Sequence, residues 1–303
     1  MMQLLPFYAV LILAGISTSW IGDYGVGLLL GMASAATLAS AWALFSGPTR
    51  YISLATVAFY GICAYVVAVF AETQSWPVIL LIAAAFGAGV ALVVGLSTLR
   101  LAGIYFVIFS FGLAELIRQL ITWFEVNVTG TLGRYIFTDF QPKHLLWQLL
   151  ALLAVTLTIS VRISRSRLGL ALKVIGDDET VAAHAGINLA RTKLLLFVIS
   201  AVLITLAGAI QSPRWVYIEP SIVFNPTVSF TAVIMALLGG ANRIWGPILG
   251  AVPLYLGFEF LSTHFPDHFS ILLGLLFILV VFALPNGVLA AIEKLGRRKG
   301  GVA

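Results

Sequence analysis

The chain has 303 residues, 61% hydrophobic and only 10% charged, with a mean hydropathy of +1.07. Soluble domains carry about a quarter charged residues, and the apolar runs here are continuous rather than alternating, so a water-soluble domain and a β-barrel are both excluded in favour of a polytopic α-helical membrane protein. The lone Cys63 excludes a disulfide framework, and the net charge of +5 arises from basic residues that flank apolar runs, the positive-inside pattern rather than a nucleic-acid footprint.

The sequence predicts an all-α fold of about ten membrane helices, in a range of 8–10, at roughly 5–20, 26–45, 51–70, 77–97, 101–123, 145–162, 193–211, 228–240, 247–263 and 269–284. The start of the chain has no basic n-region and no small-residue cleavage site, so no cleaved signal peptide is expected. With the N-terminus in the cytoplasm, the inside connections hold Arg50, Arg100, the six basic residues of a central loop, Arg243, Lys294, Arg297, Arg298 and Lys299. That is thirteen of the 17 Lys and Arg residues, against Arg134, Lys143 and Arg214 outside and Arg118 within a span. Both termini are then cytoplasmic and residues 290–303 form a short basic tail.

Two stretches read as interrupted helices, Ser46–Ala58 and Asn225–Pro247. Pro48, Pro226 and Pro247 remove backbone donors, and Gly239, Gly240 and Gly246 loosen the helix. Each stretch places a Pro a few residues before a Ser, Ser53 or Ser229, and then an apolar run. Matching interruptions in two halves of a transporter point to an internal repeat and a midplane pathway; ordinary loop ends are the alternative. Within the fifth span, Glu115 and Arg118 lie three apart and share a helix face, either as a structural ion pair or as a solute contact. Glu259 has no close sequence partner and faces either a helix interface or the outer mouth. The candidate path residues are Ser53, Tyr105, Glu115, Ser229, Gly239 and Gly240.

The one long internal segment that cannot sit in a membrane is the loop 163–193. Arg162, Arg165 and Arg167 anchor the end of the sixth span. Leu168–Ile175 make an apolar-rich helical turn, and Gly176 is expected to stop it. Asp177 or Asp178 can cap a second helix of about Glu179–Ala185, ended by a left-handed Gly186. Such a helix is too short to be stable alone in water, so another surface must hold it. Ala182, Ala183 and Ala185 give it a small face; a plain solvated loop is the alternative.

These residues carry a resemblance. Arg165-Ser166, Gly169-Leu170-Ala171-Leu172, Asp177 to Glu179, Ala182-Ala183, Gly186-Ile187-Asn188 and Lys193 stand in the order found in LivM-type permeases of branched-chain amino acid ABC importers. Ser53–Val66, Leu99–Leu116, Ser229–Ala251 and Pro285-Asn286-Gly287 are similar to further motifs of that family, so the resemblance covers most of the chain. Thr131, Ala55, Cys63 and Ala241-Asn242 depart from its usual residues. The resemblance implies an ABC importer permease fold as a single transmembrane domain, 1–303, in the bacterial inner membrane. It implies a subunit that is not itself an enzyme and passes a small amino acid, chiefly branched-chain, or a related solute by alternating access. The implied partners are two cytoplasmic ATPases, a second homologous permease, an extracytoplasmic substrate-binding protein and membrane lipid, with no nucleic acid. The ATPases would dock on a 178–188 coupling helix built from Asp177, Asp178, Glu179, Ala182, Ala183, Gly186, Ile187 and Asn188. No Gly-x-x-x-x-Gly-Lys-Ser/Thr occurs in the 303 residues. This chain is therefore expected to bind no cofactor, with ATP used by its partners. The competing reading is an ion-coupled secondary transporter, which needs a relay of charged residues across several spans.

Overall fold

Helix α2 (Asp23–Thr49) is apolar all round and buried along most of its length, which is the signature of a helix enclosed by others rather than one lying on a surface. The computed structural model describes residues 5–279, apart from 102, 139, 269, 270, 273, 276 and 277. The greater part of the tenth expected crossing, the Pro285-Asn286-Gly287 motif and the basic tail 290–303 lie outside the described residues.

In chain order α1 (Leu5–Ile16) precedes α2, followed by α3 (Thr56–Phe70), α4 (Trp76–Thr98), α5 (Ile104–Phe124) and α6 (Pro142–Ser164). Two short helices come next, α7 (Arg167–Asp177) and α8 (Glu179–His184), and then α9 (Leu189–Gln211). The chain ends its described part with α10 (Pro220–Val223), α11 (Thr227–Gly239) and α12 (Gly246–His264). Among the described residues, six helical stretches are long and apolar enough to cross a membrane: Asp23–Thr49, Trp76–Thr98, Ile104–Thr129, Pro142–Ser164, Leu189–Arg214 and Pro220–Gly239. Helices α1, with 12 residues, and α3, with 15, fall short of a full crossing alone.

Helix α2 packs against α6, α9, α11 and α12, and α9 in turn against α3 and α4. Small residues let these backbones approach, as in other membrane bundles. The Ser200 hydroxyl of α9 donates to the Ala41 carbonyl of α2 at 2.6 Å. The tightest contact joins α11 to α12. A Cβ at Gly239 would strike the Gly246 carbonyl oxygen, and one at Gly250 would strike that of Met235. Cys63 lies against the backbone of Gly208, where a Cβ would meet its sulfur.

At the end of the bundle away from α7 and α8, a two-residue antiparallel ribbon ties the loop after α5 to the loop after α9. Strand β1 (Arg134–Tyr135) pairs with β2 (Tyr217–Ile218), Arg134 opposite Ile218 and Tyr135 opposite Tyr217. Beneath it Arg134 Nε reaches Glu125 Oε1 at 2.8 Å, and the Glu125 side chain is only 2% exposed.

One expectation is corrected near the start of the first interrupted stretch. Helix α2 runs through Gly47 and Pro48 to Thr49 and only then breaks, at Arg50, which is capped in the left-handed region with φ +59°. Proline bars only its own N–H from the ladder, and so close to the helix end the loss is small.

The α11–α12 contact gives a direct test. Gly239→Ala and Gly250→Ala each force two backbones apart and are expected to destabilise the protein by about 1–3 kcal/mol. Gly89→Ala, on an open face with nothing within 4 Å, is expected to be neutral or mildly stabilising. Thermal unfolding in detergent distinguishes the two classes.

Candidate functional site

Helix α7 starts at Ser166, whose hydroxyl caps it by accepting from the Gly169 amide at 3.4 Å. Gly169, Leu172 and Ile175 form its buried stripe, which packs against α2 and α6. The expectation that Gly176 stops this helix is wrong, since α7 continues to Asp177. Gly176 is needed for another reason: a Cβ there would collide with the Pro48 carbonyl oxygen, so glycine lets α7 lie on the end of α2. One residue on, Asp177 meets Arg50 at 2.7 Å, but both side chains are well exposed, and such a pair contributes at most about 1 kcal/mol.

Asp178, not Asp177, caps α8. Its Oδ1 accepts from the amides of Thr180 at 2.7 Å and Val181 at 3.2 Å. The Val181 and Thr180 amides hold the carboxyl below the usual aspartate range. A carboxyl whose pKa falls on folding stabilises the fold above its unfolded pKa, so the cap is in place at neutral pH and is lost only in strong acid. At the far end Gly186, at φ +79°, closes the helix. Its amide donates to the Ala183 carbonyl at 3.0 Å and that of Ile187 to the Ala182 carbonyl at 3.1 Å, the paired bonds of a Schellman ending. Asn188 then caps α9 by accepting from the Arg191 amide at 3.0 Å. The three alanines do not form one face. Ala182 is buried against the body, whereas Ala183 and Ala185 are exposed with Thr180, Val181 and His184.

Sequence reasoning missed what holds this helix in place. Lys193, on α9, is 3% exposed. Its Nζ donates to Glu179 Oε1 at 2.8 Å and to the Tyr51 hydroxyl at 3.1 Å, and lies 4.6 Å from the Tyr51 ring centre. The Tyr51 hydroxyl donates to the same Glu179 oxygen at 2.6 Å. The first residue of α8 is thereby fixed to α9 and to the chain between α2 and α3. The signal available was a lysine one turn inside an otherwise apolar helix.

The segment after Tyr51 belongs to no helix, and its backbone groups find partners on other helices. Trp42 Nε1 donates to the Ser53 carbonyl at 2.8 Å. The Leu54 amide donates to Ser110 Oγ on α5 at 3.0 Å. Ser229, on the first turn of α11, donates to the Leu54 carbonyl and accepts from the Val57 amide, both at 2.9 Å. Of the candidate path residues, Ser229 thus bonds the backbone just after Ser53, where α3 and α11 both begin. Both side chains are spent on backbone groups, Ser53 Oγ accepting from the Ala55 amide at 3.4 Å. Gly239 and Gly240 sit at the α11–α12 contact, with Gly240 at φ +99°. Tyr105 is 70% exposed on α5, and Glu115 is tied to Arg118, whose Nε reaches Glu115 Oε2 at 2.8 Å. No hydrogen bond among the described residues joins Tyr105 or Glu115 to the serine cluster.

Residues 24–281 match the family described as the branched-chain amino acid transport system permease component. The LivM high-affinity branched-chain amino acid permease of Escherichia coli K12 is 28% identical over 81% of this chain and 65% of its own length. The LivH permease of the same organism is 34% identical over 50% of this chain and 48% of its own. The XylH xylose permease of Haemophilus influenzae is 30% identical over 43% of this chain and 34% of its own. The chain thus spans less than two thirds of the length of these relatives. No solved structure matches it. With several apolar helices of spanning length and permeases as its relatives, it is a multi-pass protein of the bacterial inner membrane. The chain belongs to the family of branched-chain amino acid transport system permease components.

Proposed function

We propose that the protein is the transmembrane permease subunit of an ABC importer, passing a branched-chain or similarly small amino acid inward by alternating access. In this reading the chain makes about ten crossings with both termini in the cytoplasm. Arg50, Lys173, Asp177 and Arg243 then share the cytoplasmic end, and the β1–β2 ribbon faces the binding protein that delivers the solute. A second homologous permease completes the path, and two ATPases use the ATP. The observation that carries the reading is α8. It has six residues and is capped at both ends. It is pinned through Glu179 to buried Lys193, and among the described residues it leaves Thr180, Val181, Ala183 and His184 exposed. A helix too short to persist alone is held in shape and left with a free face, as docking to a motor requires.

The link from α8 into the membrane supports the same reading. Glu179 is bonded to Tyr51, and the chain from Tyr51 to Ala55 bonds α5 and α11 through Leu54. A displacement of α8 therefore bears on the starts of α3 and α11 through a linking segment of only five residues.

Docking is tested by co-expressing the full chain with ABC ATPase subunits from the same organism. Val181→Asp and Ala183→Asp alter only the exposed face, so ATPase capture is expected to fall at least tenfold, about 1.4 kcal/mol, with the permease's thermal unfolding unchanged. Equal capture by wild type and both variants would sink the docking assignment. The pin is tested separately. Glu179→Gln leaves a buried ammonium unpaired and is expected to cost about 3 kcal/mol. Lys193→Met in the same chain is expected to restore much of that loss, because no buried charge then remains. Unfolding in detergent measures both.

A further inference from the structure

Between α2, α11 and α12, toward the β1–β2 end, lies a cavity of about 270 Å³. Small-molecule sites run from roughly 300 to 1,000 Å³, so this one suits a small solute. Most of its wall is apolar, with Leu38, Val228, Ala232, Met235 and Phe258. Besides Gln211 and Glu259 it carries five side-chain hydroxyls, among them those of Ser34, Thr231 and Tyr255. Glu259, on α12, is half-buried, and its carboxylate makes no hydrogen bond or ion pair among the described residues. A half-buried carboxylate without a partner is open to a cationic ligand, since a charge-assisted hydrogen bond is among the strong ones. Gln211, the last residue of α9, also lines the cavity, and its Oε1 is buried with no hydrogen-bond partner. The Tyr255 hydroxyl lies against α2 at Gly31, where a Cβ would collide with it. Arg214 stands beyond the rim. Its Nη2 is 4.0 Å from where a Cβ of Gly27 would lie, one turn along α2 from Gly31. The charges of Arg214 and Glu259 both act on Tyr255.

We infer that this cavity binds a small zwitterion with an apolar side chain, Glu259 and Gln211 Oε1 receiving its ammonium and Arg214 its carboxylate. The argument is one of complementarity. Two acceptors without donors, one of them anionic, line the same cavity, a cation stands beyond its rim, and most of the remaining surface is hydrocarbon. An ammonium satisfies both acceptors at once, and the carboxylate end of the same molecule reaches the guanidinium. The choice of solute rests on the reading of this chain as an amino acid permease. The location does not coincide with the serine cluster at the starts of α3 and α11, whose hydroxyls already serve backbone groups.

Three probes on the full chain in detergent test the site by ligand-induced thermal shift: L-leucine, 4-methylpentanoate, which lacks the ammonium, and 3-methylbutylamine, which lacks the carboxylate. L-leucine is expected to stabilise the wild type most. Glu259→Gln should weaken L-leucine and 3-methylbutylamine at least tenfold and leave 4-methylpentanoate unchanged. Arg214→Gln should do the reverse for the two partial probes. Met235→Trp, which fills the cavity without touching either charge, should abolish all three shifts. Unaltered leucine binding in Glu259→Gln or in Met235→Trp overturns the site. A wild type that captures ATPases through α8 yet binds none of the probes overturns the site and leaves the permease reading standing. A wild type that captures none overturns that reading instead.

Discussion

An extended backbone deep in a hydrocarbon slab must find every hydrogen-bond partner within the protein, because lipid offers none. The unwound chain from Ser53 to Ala55, enclosed by helices, follows the same rule, while Arg50 before it is exposed. Helix α3 begins only at Thr56, and its 15 residues rise about 22 Å, less than the roughly 30 Å of a bilayer core. The unwound segment completes the distance. Its polar groups are met by Trp42, Ser110 and Ser229, side chains from three different helices. Those helices are fixed relative to one another because each contributes to the same short stretch of chain.

The packing of the bundle follows from small residues. Leucine-rich surfaces are at home in lipid and give no reason for helices to associate there, whereas close backbone contact does. Helix α2 has Gly, Ala and Ser along much of its length, so α6, α9, α11 and α12 can all reach it. Gly239, Gly246 and Gly250 carry this furthest, with two backbones in direct contact. The unwound segment leaves α2 at its end, where Gly176 brings α7 onto the Pro48 carbonyl.

Charge is used sparingly and in two manners. At the α7–α8 end the exposed Arg50–Asp177 pair contributes little, while the Glu179–Lys193–Tyr51 cluster sits largely out of water and is geometrically exacting. Desolvation makes such a cluster a poor source of stability and a good means of fixing position, since a lost partner leaves a buried charge. It fixes a surface helix to the segment whose backbone bonds Ser110 and Ser229. At the other end Glu125 and Arg134 hold the ribbon, whereas the Glu259 carboxylate has no hydrogen-bonding partner among the described residues.

Composition alone decided that the chain is an all-α membrane protein, because that much apolar surface has no other solvent. Local chemistry likewise decided the two ends of α8: an aspartate followed by free amides caps a helix, and a glycine closes one, whatever surrounds them. The same local reasoning misjudged Gly176 and Pro48, since a glycine needed for close approach and one needed to end a helix look alike in sequence. The small face of α8 was legible as composition but not as orientation, and only packing put Ala182 inward and Ala183 outward. Lys193 and Tyr51 are 142 residues apart, and Glu259 is on a different helix from Gln211 and Arg214, which are themselves three apart. No spacing rule joins residues so far apart. Tertiary structure alone set which charges are paired and which are not.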